Sequence, residues 1–196
     1  RSQSPVEQHG SFLMNGNFAR RKEPEAVRRA LLDCAAEITA RHGFAALTIQ
    51  AVAAAAGVTK GGLFHHFPNK QVLVEGMFAD QLEKLDLMLD TIIAADPEPH
   101  GVFTRAYVAV VFDREQFGKN TVWAAMAASL AADPMLRELW ANWYRTRCDR
   151  HRDTDGEPVL EVVRLAADGA WYAYLIDEPD ASAEALRRNL MAMTRG

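Results

Sequence analysis

TIQAVAAAAGVTKGGLFHHF, residues 48–67, reads as two short helices hinged on a glycine. Thr48 is a good N-cap, and Ile49, Val52, Ala53 and Ala56 fall on one helical face behind it. Gly57 stops that helix and permits the left-handed backbone of a tight turn. Thr59 caps a second helix through His66, with Val58, Leu63 and Phe67 placed to plug and anchor it in a small core. Helix, glycine turn, helix is the unit that lays its second helix in the major groove of DNA. Spacing alone also admits any tight α-hairpin.

Upstream, Pro24 suits a first helical turn, and Val27, Leu31, Cys34, Ala35 and Ile38 form one apolar stripe up to Gly43. Residues 1–22 are polar, aperiodic and end in Arg20-Arg21-Lys22; they read as a mobile arm, the part before Met14 a candidate non-native remnant. Downstream, Pro68 breaks the chain and Asn69 caps a long helix from Lys70 to about Ala94. DPEPHG (96–101), Asp133-Pro134, DTDGEP (153–158) and DEPDAS (177–182) then punctuate further apolar-periodic segments. Strand-like alternation and internal repeats are absent, so the chain reads as all-α with about nine helices.

Charge divides the chain. Residues 1–70 carry nine Lys/Arg against five Asp/Glu, and residues 71–196 thirteen against twenty-one. A basic head on an acidic body points to an anionic partner for the head, with nucleic acid foremost. The 49% hydrophobic and 24% charged content is that of an ordinary globular protein. No apolar run reaches the roughly 18 residues of a membrane span. Cys34 and Cys148 make no disulfide framework, and the first residues hold no signal-peptide block, so a reducing cytoplasm is expected.

The run Gly57-Val58-Thr59-Lys60-Gly61-Gly62-Leu63-Phe64-His65-His66-Phe67-Pro68-Asn69-Lys70 resembles the recognition segment of the TetR/AcrR family of bacterial transcriptional regulators. The family's usual pattern there is roughly G-V-S-K-G-T-L-Y-x-H/Y-F-x-S/N-K. Gly43-Phe44-Ala45-Ala46-Leu47-Thr48 matches its G-F-x-x-L-T, and Ala167-Asp168-Gly169-Ala170-Trp171 is similar to its A-D-G-L-W. The resemblance implies a helix-turn-helix domain over residues 23–69 and a ligand-binding, dimerising helical domain over 70–196. It implies a homodimer on a palindromic operator, released by a small-molecule effector, with no catalysis, cofactor or metal. A regulator that activates, or that has no effector, is the alternative.

By the same resemblance Thr48, Thr59 and Lys70 contact phosphate, while Gln50 and Lys60 suit base edges. His65 and His66 are further contacts, and Phe64 lacks the hydroxyl of the family's usual tyrosine. Arg20, Arg21 and Lys22 are placed to reach a minor groove. Gly61 and Gly62 each cost about 1 kcal/mol relative to alanine, and close approach of backbone to DNA is the return expected. Phe103, Tyr107, Phe117, Trp123, Met126, Trp140, Trp143 and Tyr144 exceed what a small bundle needs as core and are expected to line an apolar or aromatic effector pocket. Arg105 and Arg147 are candidate partners for an acidic group on that effector. Val159, Val162, Val163, Ala166 and Ala170, with Leu186 and Leu190, form the expected dimer face.

Other chemistry finds little support. His65-His66 beside Cys34 or His42, and Cys148 with His151, lack a completed ligand set. His151-Arg152-Asp153 echoes a kinase catalytic loop without its glycine-rich partner, and no nucleophile elbow or P-loop occurs.

Overall fold

Local caps set the order of the helices. In the computed structural model, residues 15–130, 132–176 and 183–195 are described, with side chains from Pro24 onward. Of the arm expected over residues 1–22, the part before Asn15 and the side chains of Arg20, Arg21 and Lys22 lie outside the described residues, as does the loop at 177–182, while the backbone of residues 15–22 is helical. The first helix, α1, runs Asn15–Ala46 and is interrupted at Gly43, whose φ of 72° and ψ of 174° are not helical. Pro24 is therefore inside the helical run, not at its first turn as the sequence suggests. Its ring forfeits one backbone hydrogen bond, a loss that local propensity reads as a helix start.

Thr48 caps α2 (Ile49–Ala55), its hydroxyl accepting from the Ala51 amide at 3.1 Å. Thr59 caps α3 (Lys60–His66) through the Gly62 amide at 3.0 Å. Between them Gly57 takes φ +67°, so that its amide reaches Ala54 O at 3.2 Å and the Val58 amide reaches Ala53 O at 3.0 Å. This pair of bonds is a Schellman stop, which favours glycine at the left-handed residue. Asn69 caps the long α4 (Lys70–Ala95) through Val72.

The body follows as α5 (Val102–Val111), α6 (Arg114–Phe117), α7 (Val122–Leu130), α8 (Pro134–Arg150), α9 (Arg152–Asp155), α10 (Pro158–Leu175) and α11 (Ala183–Met193). That makes eleven helices and no strand among the described residues, against about nine expected. The two extra ones, α6 and α9, are single turns of four residues, too short to show a period. No helix among the described residues is long and apolar enough to cross a membrane.

One apolar cluster runs through head and body. Leu31, Leu32 and Ala35 of α1 meet Leu47, Val52, Leu63 and Phe67, and Leu73 and Met77 of α4 continue it. Ion pairs from α1 to α4 flank this contact: Arg29 with Asp80, and Lys84 with Asp33 at 3.0 Å. In the body α5 is the central helix, packed by α4, α10, α11 and α9. Its N-terminus begins at Gly101, which offers no side-chain cap. Asp155 of α9 supplies one from a distance, accepting from the Phe103 amide at 3.2 Å, the Thr104 amide at 2.7 Å and the Thr104 hydroxyl at 2.6 Å. The sequence reads residues 153–158 as a plain loop; a cap made across the fold leaves no local pattern.

Asp155 is 3% exposed, so its removal leaves buried amides without a partner. Asp155→Ala is expected to lower unfolding free energy by about 2–4 kcal/mol. Chemical denaturation followed by circular dichroism checks this, and a loss below about 0.5 kcal/mol contradicts the capping role.

Candidate DNA-binding tip and effector cavity

The tip is built by burying one side of α3. Leu63 (0% exposed) and Phe67 (1%) point inward, which turns Lys60, Gly61, Phe64 and His65 to solvent. Gly62 and His66 are half-buried. Thr48, Gln50, Thr59 and Lys70 are also exposed, at the starts of α2, α3 and α4. Each capping threonine accepts a backbone N–H and keeps its own hydroxyl hydrogen to donate outward. Phe64 is 46% exposed, an apolar ring among polar groups on the outer face of α3.

Among the described residues nothing requires glycine at either of the two positions in α3. A Cβ on Gly61 would meet only the Thr59 hydroxyl at 3.8 Å, and one on Gly62 that hydroxyl at 3.4 Å and Val58 Cβ at 3.8 Å. These are ordinary contacts, and neither residue takes a positive φ.

In the body a cavity of about 250 Å³ opens between α4, α5, α7, α8 and α10. Of the residues expected to line it, Tyr107, Phe117, Trp123 and Trp140 do so. Phe103, Met126, Trp143 and Tyr144 are not on its wall. Phe103 stacks on His151 at 5.1 Å, Met126 is fully buried, Trp143 donates to Asp86 at 2.9 Å, and the Tyr144 hydroxyl accepts from Arg164 at 3.1 Å. Aromatic residues at helical spacing do not declare which neighbour they meet, so the sequence mixes core with wall. It misses Asp168, Trp171 and Tyr172, which α10 brings to the cavity at i, i+3 and i+4. Trp171 is fixed by its indole N–H donating to Phe117 O at 2.7 Å.

Neither arginine expected to meet an acidic effector is on this wall. Arg105 is held by Asp96 at 2.7 Å and by the carbonyls of Glu98, His100 and Thr194. Arg147 pairs with Asp90 at 2.7 Å and Asp86 at 3.3 Å. Both clamp the fold. Asp168 is the one carboxylate among the described lining residues, and Tyr107 donates its hydroxyl to Oδ1 at 2.7 Å. Burial pushes the Asp168 carboxyl up to about 6, against the lowering effect of the Tyr107 bond and the Arg164 charge.

The outward face of α10 carries Val159, Val162, Leu165 and Tyr172, and Ile176 follows at its C-terminal end, all between 38% and 60% exposed. Val163 (0%) and Leu190 (4%), expected on the dimer face, are inside the chain's own core. Ala166, Ala170 and Leu186 are half-buried. A helix apolar on more than one side presents two stripes, and the sequence reading merged them; Leu165, Tyr172, Ile176 and Met193 (45% exposed) belong to the open one.

Residues 31–77 match the family of bacterial regulatory proteins, tetR family, and residues 101–195 match the tetracyclin repressor-like C-terminal domain. The chain is 33% identical over 92 residues to the HTH-type transcriptional repressor KstR2 of Mycolicibacterium smegmatis, covering 45% of this chain and 45% of that relative. The match thus spans less than half the length of that relative. Among solved structures, a TetR-family transcriptional regulator from Streptomyces coelicolor superposes with a TM-score of 0.68 at 20% identity, over 94% of this chain and 96% of the other. The multidrug binding protein EbrR complexed with malachite green gives 0.64 at 19% identity, over 86% and 98%. At these identities the likeness is one of fold.

The raised Asp168 carboxyl has a consequence for stability. Its folded value near 6 exceeds the ordinary 3.8, so its contribution is fully present below about pH 4 and lost as pH rises through 6. At about pH 7.5 the ionised group costs the fold on the order of 3 kcal/mol. Asp168→Asn is expected to raise the melting temperature near pH 7.5, the gain closing as pH falls toward about 4. A melting temperature lowered equally at both pH values contradicts a desolvated charge at this position.

Proposed function

The chain belongs to the tetR family of bacterial regulatory proteins, and on that premise we propose that it is a repressor released from a palindromic operator by a small apolar or aromatic effector. It is a DNA-binding transcriptional regulator, as its relatives are. Repression is carried over from the KstR2 relatives, each named as a transcriptional repressor.

The observation that carries the reading is the exposed end of α3. There Thr59, Lys60, Gly61, Phe64 and His65 stand clear of the core, with Thr48, Gln50 and Lys70 beside them. Thr48, Thr59 and Lys70 serve phosphate, where hydroxyl donors and an ammonium fix register without reading sequence. Gln50 and Lys60 address base edges, and Phe64 offers an apolar contact to a thymine methyl group. His65 and His66 border this surface, and Gly61 and Gly62 let the backbone of α3 approach the groove.

Two chains act together. The apolar stripe of α10, with Met193 of α11, supplies a face for a two-fold bundle, and the paired tips then meet half-sites roughly 34–36 Å apart. The effector enters the cavity walled by Tyr107, Phe117, Trp123 and Trp140. It touches Leu85 of α4 and Ala127 of α7. The first helix carries the head, and its residues Thr39, Ala40 and Gly43 line a cleft with Ala124, Ala125 and Ala128 of α7. A ligand that shifts α7 or α4 therefore bears on the head along two helices. Coupling of about 1–3 kcal/mol would weaken operator binding by about 5–150-fold.

Selection of duplexes from a random pool, followed by fluorescence anisotropy at several salt concentrations, tests the function. The expected result is an enriched palindrome bound with affinity that falls steeply as salt rises. Failure to enrich any duplex in dilute salt overturns the reading. On the selected site Gly62→Ala is expected to bind about tenfold more weakly or worse, while the free protein melts no lower than the parent, since alanine is the better helix former. Unchanged or tighter binding by Gly62→Ala removes the close-approach role.

A further inference from the structure

We propose that the cavity of the body takes an organic cation: an apolar, aromatic-sized body bearing an ammonium group that Asp168 receives. This rests on reading that cavity as the effector site.

Phe117, Trp123, Trp140 and Trp171 present ring surface to the space, and rings attract a cation through their electron-rich faces. Among them stands one carboxylate. Tyr107 satisfies Asp168 Oδ1, and no described residue donates to Oδ2. An acceptor is left open on the wall of a space otherwise lined almost wholly by carbon.

Charge in the surroundings points the same way. Three groups face Asp168 from the helices packed around it: Tyr107 on α5, Tyr144 on α8, and Arg164 one turn earlier on α10. Tyr107 and Tyr144 are both pushed upward by burial and stay neutral. Arg164 is 5% exposed and already committed, donating to the Thr104 hydroxyl at 2.6 Å and to Tyr144 at 3.1 Å. Thr104 in turn donates to buried Asp155. Arg164 thus reaches Asp155 only through the Thr104 hydroxyl and acts on Asp168 only across space, so among the described residues Asp168 has no direct cationic partner. The other buried guanidiniums, Arg105 and Arg147, are held by Asp96 and by Asp86 and Asp90.

Each class of occupant can be weighed on that balance. A carboxylate or phosphate on the effector would be pressed against Asp168 with no cation to receive it. A neutral hydrocarbon would shut solvent away from an ionised carboxyl and give nothing in exchange. An ammonium donates to Oδ2, pairs with the Asp168 charge and lies against the rings. The carboxyl value near 6 leaves Asp168 mostly ionised at neutral pH, so the charge is there to be met.

Three probes with one body and different heads make the test: phenylbutylammonium, phenylbutanol and phenylbutyrate, titrated against the full chain by quenching of tryptophan fluorescence. Near pH 7.5 the ammonium is expected to bind about tenfold or more tightly than the alcohol, and the carboxylate weakest. Moving to about pH 5 protonates Asp168 and is expected to shrink the ammonium's advantage. Asp168→Asn, its folding verified by thermal melting, is expected to level the ranking. Alcohol binding as tight as the ammonium's in the parent chain overturns the cation proposal and leaves the cavity reading standing. If none of the three quenches, the cavity reading and the proposal fall together. A ranking that survives in Asp168→Asn overturns the assignment to this carboxyl.

Discussion

The seating of Phe67 against Gly76 is the contact on which the rest of the molecule depends. A Cβ on Gly76 would come 2.8 Å from Phe67 Cε1, closer than real side-chain contacts, so only glycine lets the ring sit against α4. Phe67 immediately follows α3, and Arg28 of α1 lies over its ring at 4.9 Å from the centre. One aromatic ring thus joins the exposed tip, the first helix and the long helix that enters the body. Close packing makes such a joint stiff. Tilting α4 must carry α3 with it, and that is what an effector in the body needs in order to be felt at the tip.

The body shows the reverse economy. Its clamps are polar and remote: Asp155 caps α5 across the fold, Arg105 gathers Asp96 and three carbonyls, and Arg147 binds α8 to α4 through Asp86 and Asp90. Asp168 is the exception among these groups. It is half-buried, raised and answered by a single hydroxyl donor, and so costs stability where the others contribute it. Groups kept against stability are those that a site needs.

Where structure follows from the nearest few residues, the sequence was legible. Thr48, Thr59 and Asn69 each cap the helix that follows them, and Gly57 forms the left-handed stop between α2 and α3. Long amphipathic segments also declared themselves, as did the all-helical class. Partners distant in sequence left no such trace. The turn of α9 owes its place to Asp155 reaching α5, and the helical run through Pro24 overrides a local breaker. Faces were the other difficulty. Val163 and Leu165 look alike in a stripe, yet one is fully buried and the other 58% exposed. Trp143 and Trp140 lie three residues apart with rings 4.9 Å from one another, but only Trp140 lines the cavity. Apolar character gives the direction of burial, not the neighbour that does the burying.

Two tips held at a fixed separation by one dimeric body is the central claim, and the spacing of half-sites tests it most directly. On the selected palindrome, an insertion of about five base pairs at the centre turns one half-site to the far side of the duplex. Affinity measured by anisotropy is predicted to drop by about a hundredfold or more, with two chains bound per uninterrupted duplex. Equal affinity for the interrupted site, or one chain saturating the intact one, would contradict the account.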